Sequence, residues 1–305
     1  MKDFKSVKKL ALYTAATVIC VAGQSAFAHT GIRDVVLENT SVYNALTVTH
    51  GCNGNVSLGA HQNVIAVSAV FPNAADPAMS VVTKLDPVTG ASMGTLPDLS
   101  GDIAGVISGV GFTNLGLGLV QPNLFPNFIP TIDPNTLVGA HATPLNRGFV
   151  VHNGPKPYAS APLWQQVTST TGLAPFKVGP VAFNPTSCAI SLKVRVAVAN
   201  WCKGDKKSYK DDDRVDLWIG HTTAKFNDPL TMPYDPTAVA AGSVYWPTMT
   251  IARDLVNNPL APSCGAGYNL AIEPADADID TYLPIPFGDA PSAAPRLFWP
   301  TTAKK

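Results

Sequence analysis

The stretch Ala26-Phe27-Ala28-His29 holds the most chemistry per residue in this chain. Small side chains at 26 and 28 around a bulkier one are what an export signal peptidase cuts, and a cut after Ala28 makes His29 the first residue. A histidine at a chain start offers an α-amine and an imidazole nitrogen, which together can close a chelate ring on one metal ion. Nitrogen ligands in a tetragonal arrangement favour Cu(II) over other divalent ions. Upstream, Lys2, Lys5, Lys8 and Lys9 form a basic start and residues 10–23 an apolar run. Residues 1–28 therefore read as a secretory leader, and the mature chain is expected to be periplasmic or extracellular.

Further ligands must come from whatever pairs with the new start. Residues 35–38 and 43–50 read as two strands joined by the turn-prone triplet Asn39-Thr40-Ser41. A hairpin centred near Thr40, with partner numbers summing to about 80, sets His29 opposite Gly51 and next to His50. His50 is then the best second imidazole, Glu38 or Asp34 the carboxylate, and His61 a more distant candidate.

Composition narrows the function classes. Of 21 basic and 21 acidic residues, the leader holds four and one, so the mature chain carries 17 and 20, a net charge near −3. That sign disfavours nucleic acid or an anionic membrane as the main partner. Charged residues make only 14% of the chain, against a usual quarter or so, which suggests assembly with partners or long uncharged loops. The 277 mature residues suffice for one large or two small domains, and 24 Gly with 27 Pro disfavour long helices.

Cys20 leaves with the leader, and Ile19 before it is too bulky for a lipoprotein anchor. Cys52, Cys188, Cys202 and Cys264 remain, an even number that in an exported protein implies two disulfides, with three connectivities open. No CxxC occurs, which argues against a zinc ribbon, a thioredoxin-type site or c-type haem. Residues 103–120 are uncharged but interrupted by glycines, a buried or loop segment rather than a membrane span.

Period-two alternation dominates the mature chain. Ile190, Leu192, Val194, Val196 and Val198 point one way, with Ser191, Lys193 and Arg195 between them. Similar runs occupy residues 45–50, 64–71, 215–219 and 244–251. The expected fold is all-β, an immunoglobulin- or cupredoxin-like β-sandwich over residues 29–225 with a Gly/Pro-rich insertion at 86–180. Residues 226–305 read as a C-terminal extension packed on it, extended from Asp276 onward.

Weaker motifs fail on context. Gly90-Ala91-Ser92-Met93-Gly94 fits G-x-S-x-G, but a nucleophile elbow needs a strand before and a helix after, and Pro87 and Pro97 flank it. Residues 203–216 alternate basic and acidic runs, a solvated hairpin tip. Asp276, Asp278 and Asp280 begin like a calcium loop, yet Thr281 and Phe287 stand where Gly and the bidentate Glu belong.

Ala28-His29, followed by Leu46-Thr47-Val48-Thr49-His50-Gly51-Cys52-Asn53-Gly54, resembles the opening of the YcnI-like copper-binding proteins. The run 64–71 closing on Pro72 is similar to that family's next strand. Trp201-Cys202-Lys203-Gly204, with Trp218-Ile219 beyond the charged hairpin, resembles its closing Cys-x-Gly…Trp segment. The matching pieces total about sixty residues at the two ends of a stretch of about 175, and the insertion and the residues after Trp218 depart from the pattern. The resemblance implies a β-sandwich holding one copper ion at the N-terminal His, with a carboxylate and a Trp nearby, Trp218 favoured over Trp201. It also implies a Cys52–Cys202 disulfide, which leaves Cys188 to pair with Cys264.

The leading expectation is an exported copper carrier or buffer without catalytic turnover, with a protein partner for metal transfer or self-assembly as the candidate macromolecular partner. Two other classes compete with it. A copper monooxygenase-like enzyme would also start with a chelating His, but needs an axial aromatic and a flat substrate face. A structural or surface-assembly β-protein without metal would account for the low charge and the Pro/Gly-rich apolar segments.

Overall fold

Alternating apolar residues build most of the elements found in the computed structural model, which describes residues 30–48, 64, 66–72, 80–104, 127–132, 146–152, 172–202, 215–226 and 246–283. The strands in chain order are β1 (Gly31–Ile32), β2 (Val36–Leu37), β3 (Val42–Val48), β4 (Ala66–Val70), β5 (Ser80–Leu85), β6 (Ser92–Leu96), β7 (Ile103–Ala104) and β8 (Asn127–Ile132). They continue with β9 (Asn146–His152), β10 (Gly172–Val178), β11 (Ala182–Phe183), β12 (Ala189–Arg195), β13 (Ala197–Trp201), β14 (Val215–Trp218), β15 (Thr248–Ala252) and β16 (Tyr268–Pro274). One α-helix, α1 (Asp276–Tyr282), occurs among the described residues. The all-β expectation holds.

The strands form four sheets: β2-β15-β12-β16-β5-β6, β14-β13-β4-β9-β8, β1-β3-β10 and β11-β7. Leu192, Val194, Ile251 and Ile272 of the first, Val67, Val198 and Trp218 of the second, and Leu46, Val48 and Phe176 of the third meet in one buried cluster. That shared core, rather than any single sheet, supplies the apolar burial that stabilises the fold.

Residues 189–199, expected as one strand, are two. Leu192 and Val194 face the core as expected, but only Val196 separates β12 from β13, which belongs to the other large sheet. The Val196 N–H donates to the Pro247 carbonyl at 2.9 Å, outside either ladder. Ile190 is only half-buried, because the β12–β16 register shifts between Ala189 and Ser191. Side-chain alternation survives a bend at which the hydrogen-bond partners change.

The first hairpin is also corrected. Gly31 pairs with Thr47 and Ile32 with Leu46, so partner numbers sum to 78 and not 80. Val36–Leu37 leaves that sheet and runs parallel to Ile251–Ala252 of β15. Asn44 causes the break. Its side chain accepts from the Asp34 N–H at 3.0 Å and donates to the Asp34 carbonyl at 2.8 Å, taking the place of a ladder partner.

The stretches expected as insertion and extension carry sheet strands. Between 86 and 180, β6 extends β5, β8 and β9 extend β4, and β10 completes the sheet of β3. From 226 onward, β15 and β16 flank β12 in the middle of the six-stranded sheet, so this part is not an outer layer. The segment after Asp276 begins as a helix rather than an extended tail. Asp276 and Asp278 in its first turn complement the positive end of the backbone dipole. Ser92 of the G-x-S-x-G match opens edge strand β6 after a turn in which Asp86 accepts the Val88 and Thr89 amides, and no helix follows. Among the described residues, no helix is long and apolar enough to cross a membrane.

Candidate metal centre

Thr30 is the first described residue and sits next to His29 in the chain. It is 5% exposed, and its hydroxyl oxygen accepts from the Asn200 side-chain amide at 2.6 Å. The neighbouring Gly31 N–H donates to the Thr47 hydroxyl at 3.2 Å, so the start of β1 is held at two adjacent residues.

Asn200 lies on β13 directly opposite Asp216 of β14 and Val67 of β4. Directly opposed residues share a sheet face, as do residues two apart on one strand. Val198 is opposite Trp218, so Asn200, Asp216 and Trp218 all project from one face. Asn200, Asp216 and Trp218 are each 1% exposed. Thr30 thus abuts the face that carries a buried carboxylate and a buried indole. An amide and an acid are costly in such strands unless something polar meets them.

The expected carboxylates fare differently. Glu38 is 3% exposed, and its Oε1 accepts from the Asp254 N–H at 2.6 Å. Its Oε2 accepts from the Phe183 N–H at 2.9 Å and the Asn258 side-chain amide at 3.2 Å. These three donors make Glu38 an anchor between β2, β11 and the turn after β15. Asp34 is 46% exposed and pairs with Arg33 at 2.5 Å, and this bonded carboxylate raises the Arg33 pKa above its ordinary value. Trp218 packs into the shared core.

His29, His50, His61 and Cys52 lie outside the described residues, as does the Trp201 side chain. Among the described residues, no three His, Cys, Asp or Glu side chains gather in a way that would hold a metal. Cys188 and Cys264 are bridged, with Cα atoms 5.2 Å apart, and Cys202, 7% exposed, is also disulfide-bonded. Asp216 and Asn200 are the residues that sequence reasoning passed over. A signal existed: each interrupts an otherwise apolar or aromatic strand, in Val215-Asp216-Leu217-Trp218 and Val198-Ala199-Asn200-Trp201. Compared with family models, curated proteins and solved structures, the chain matches none.

Proposed function

We propose that this is an exported copper-binding protein that carries or buffers copper outside the cytoplasm without catalytic turnover. Its metal is bound by the α-amine and imidazole of His29 once the leader is removed, with His50 as the second imidazole. The observation that carries this reading is the Asn200–Thr30 hydrogen bond on the face shared by Asp216 and Trp218. It supports a chain start held against a face that carries a buried carboxyl group instead of trailing in solvent. Asp216 is the carboxylate that best suits a cation there, and Asp34 is the solvent-facing alternative. Glu38 is committed to its three donors.

A carrier needs affinity and access, and a terminal chelate at the end of a short strand supplies both. The test is a variant with one extra residue before His29, which moves the amine out of chelating reach and leaves every side chain in place. Native-start protein, verified by mass spectrometry, is expected to bind one Cu(II) and the extended form far less. Equal affinity in the two forms at the same pH would refute the chelate, and metal-free native protein would refute the copper reading altogether.

A further inference from the structure

We propose that Lys193 and Arg195 form a carboxylate-binding point on the outer face of the six-stranded sheet. This site is independent of the metal reading. Both residues lie on β12, two positions apart and half-buried, on the face opposite the core-facing Leu192 and Val194. Thr250 and Thr248 of β15 stand directly opposite them. On the other side are Ala271 of β16, opposite Lys193, and Glu273 of β16, bonded to Arg195.

The charges of this patch do not balance. Glu273 Oε2 accepts from Arg195 Nη1 at 2.5 Å, and that pair is neutral. It does not exhaust the guanidinium, whose buried Nε–H bonds to nothing among the described residues. Lys193 has no carboxylate partner among them, and the Thr250 hydroxyl makes no hydrogen bond there. Burial, and then the charge of Arg195, lowers the Lys193 pKa, as follows for a half-buried ammonium beside another cation. Such a group costs free energy unless an acceptor meets it. Directly opposed side chains in a sheet are within reach of one ligand, so the Lys193 ammonium and the Thr250 hydroxyl offer two unclaimed donors. One surplus positive charge with two donors matches one negative charge with two acceptor oxygens. A carboxylate has that charge and shape, and a sulfate dianion exceeds the charge.

The experiment titrates the full chain, labelled with 15N, with sodium acetate, and with sodium chloride at equal ionic strength as the control. The resonances read are the Arg195 Nε–H and the backbone amides of Lys193 and Thr250. Acetate is expected to shift them saturably with a Kd of about 10 mM, and chloride to produce no saturable shift. Lys193→Met keeps the stem without the charge and should bind acetate about tenfold more weakly, while Lys193→Arg keeps the binding. A blocked peptide carrying one glutamate tells a protein partner's side chain from a free acid, and the tighter of the two probes names the source. The proposal is overturned if acetate acts no differently from chloride, if Lys193→Met binds like wild type, or if sulfate binds more tightly than acetate. The wild-type titrations decide it even if a variant fails to fold.

Discussion

Glu38 and Asp254 are 216 positions apart, yet the Asp254 N–H donates to Glu38 Oε1 at 2.6 Å inside the fold. With Phe183 and Asn258 on Oε2, one carboxylate joins the edge strand β2 to β11 and to the turn after β15. Arg253 completes the junction from the other side. It is 4% exposed and donates to the Ser187 carbonyl at 2.6 Å and the Asn258 carbonyl at 2.8 Å. Glu38→Ala leaves the Phe183 and Asp254 N–H groups without their acceptor and removes one of the two bonds of the Asn258 side-chain amide, which keeps the Phe183 carbonyl, at an expected cost of about 3 kcal/mol. Urea unfolding should show that loss while the copper stoichiometry stays at wild type. A loss of copper with stability intact would instead make Glu38 a ligand.

Asp216→Asn keeps the shape and removes the carboxyl group. Copper affinity is expected to fall by about tenfold or more, the effect of losing one carboxylate ligand. Asp34→Asn should change it little, since that carboxylate is 46% exposed and already paired with Arg33. Competition titrations on both variants check the assignment, and the reverse ranking would return the role to Asp34.

The Cys188–Cys264 bridge spans 76 positions. Chain-entropy arguments give such a loop about 4 kcal/mol of stabilisation. The double variant Cys188→Ser with Cys264→Ser should show a loss of that size in chemical denaturation. Peptide mapping without reductant should join these two cysteines and find the second bridge between Cys202 and Cys52. A Cys188–Cys202 peptide would contradict both.

Lys225 sits against α1, its ammonium 3.1 Å from the Asp280 carbonyl oxygen. Burial lowers its pKa from 10.5 to about 8, against the opposing pull of the Asp280 carboxylate. Between those values the unfolded chain binds the proton and the folded one does not, so this group makes stability rise as pH increases from about 8 toward 10.5. Denaturation of wild type and Lys225→Met at pH 7, 8, 9 and 10 should show the rise in wild type and a flatter profile in the variant. Tyr268 opposes the trend at the alkaline end, since burial and then its bond to Asp102 raise its pKa. Taking the difference between the two proteins isolates the lysine. Parallel profiles would remove it as the source.

Gly220 has φ of +69°, and a Cβ there would lie 1.8 Å from Trp246 Nε1. Gly220→Ala therefore combines a disfavoured backbone with a collision against a buried indole, for an expected loss of about 3 kcal/mol. Thermal melting reads it directly, and an unchanged Tm would show that Trp246 does not pack there.

Much of the fold was legible as alternation. Residues 45–50, 64–71, 215–219 and 244–251 overlap β3, β4, β14 and β15, and Leu192 and Val194 face the core as their spacing implies. A strand's period of two comes from its own backbone, so neighbours in sequence suffice to show it. The proposals of a leader, of export and of His29 as a first residue rest on local pattern alone, as does the resemblance behind the copper proposal.

Which strands pair was not legible, and that decides which polar groups meet. Alternation continues through Val196 although the chain changes sheets there, and β2 leaves its hairpin for β15 because Asn44 occupies the backbone of Asp34. Glu38 looked like a ligand by proximity in sequence, but its three donors lie 145 to 220 positions away. Asn200 meets Thr30 across 170 positions for the same reason. Local periodicity sets where a side chain points relative to its own strand. Only the joint burial of several sheets in one core sets what it points at.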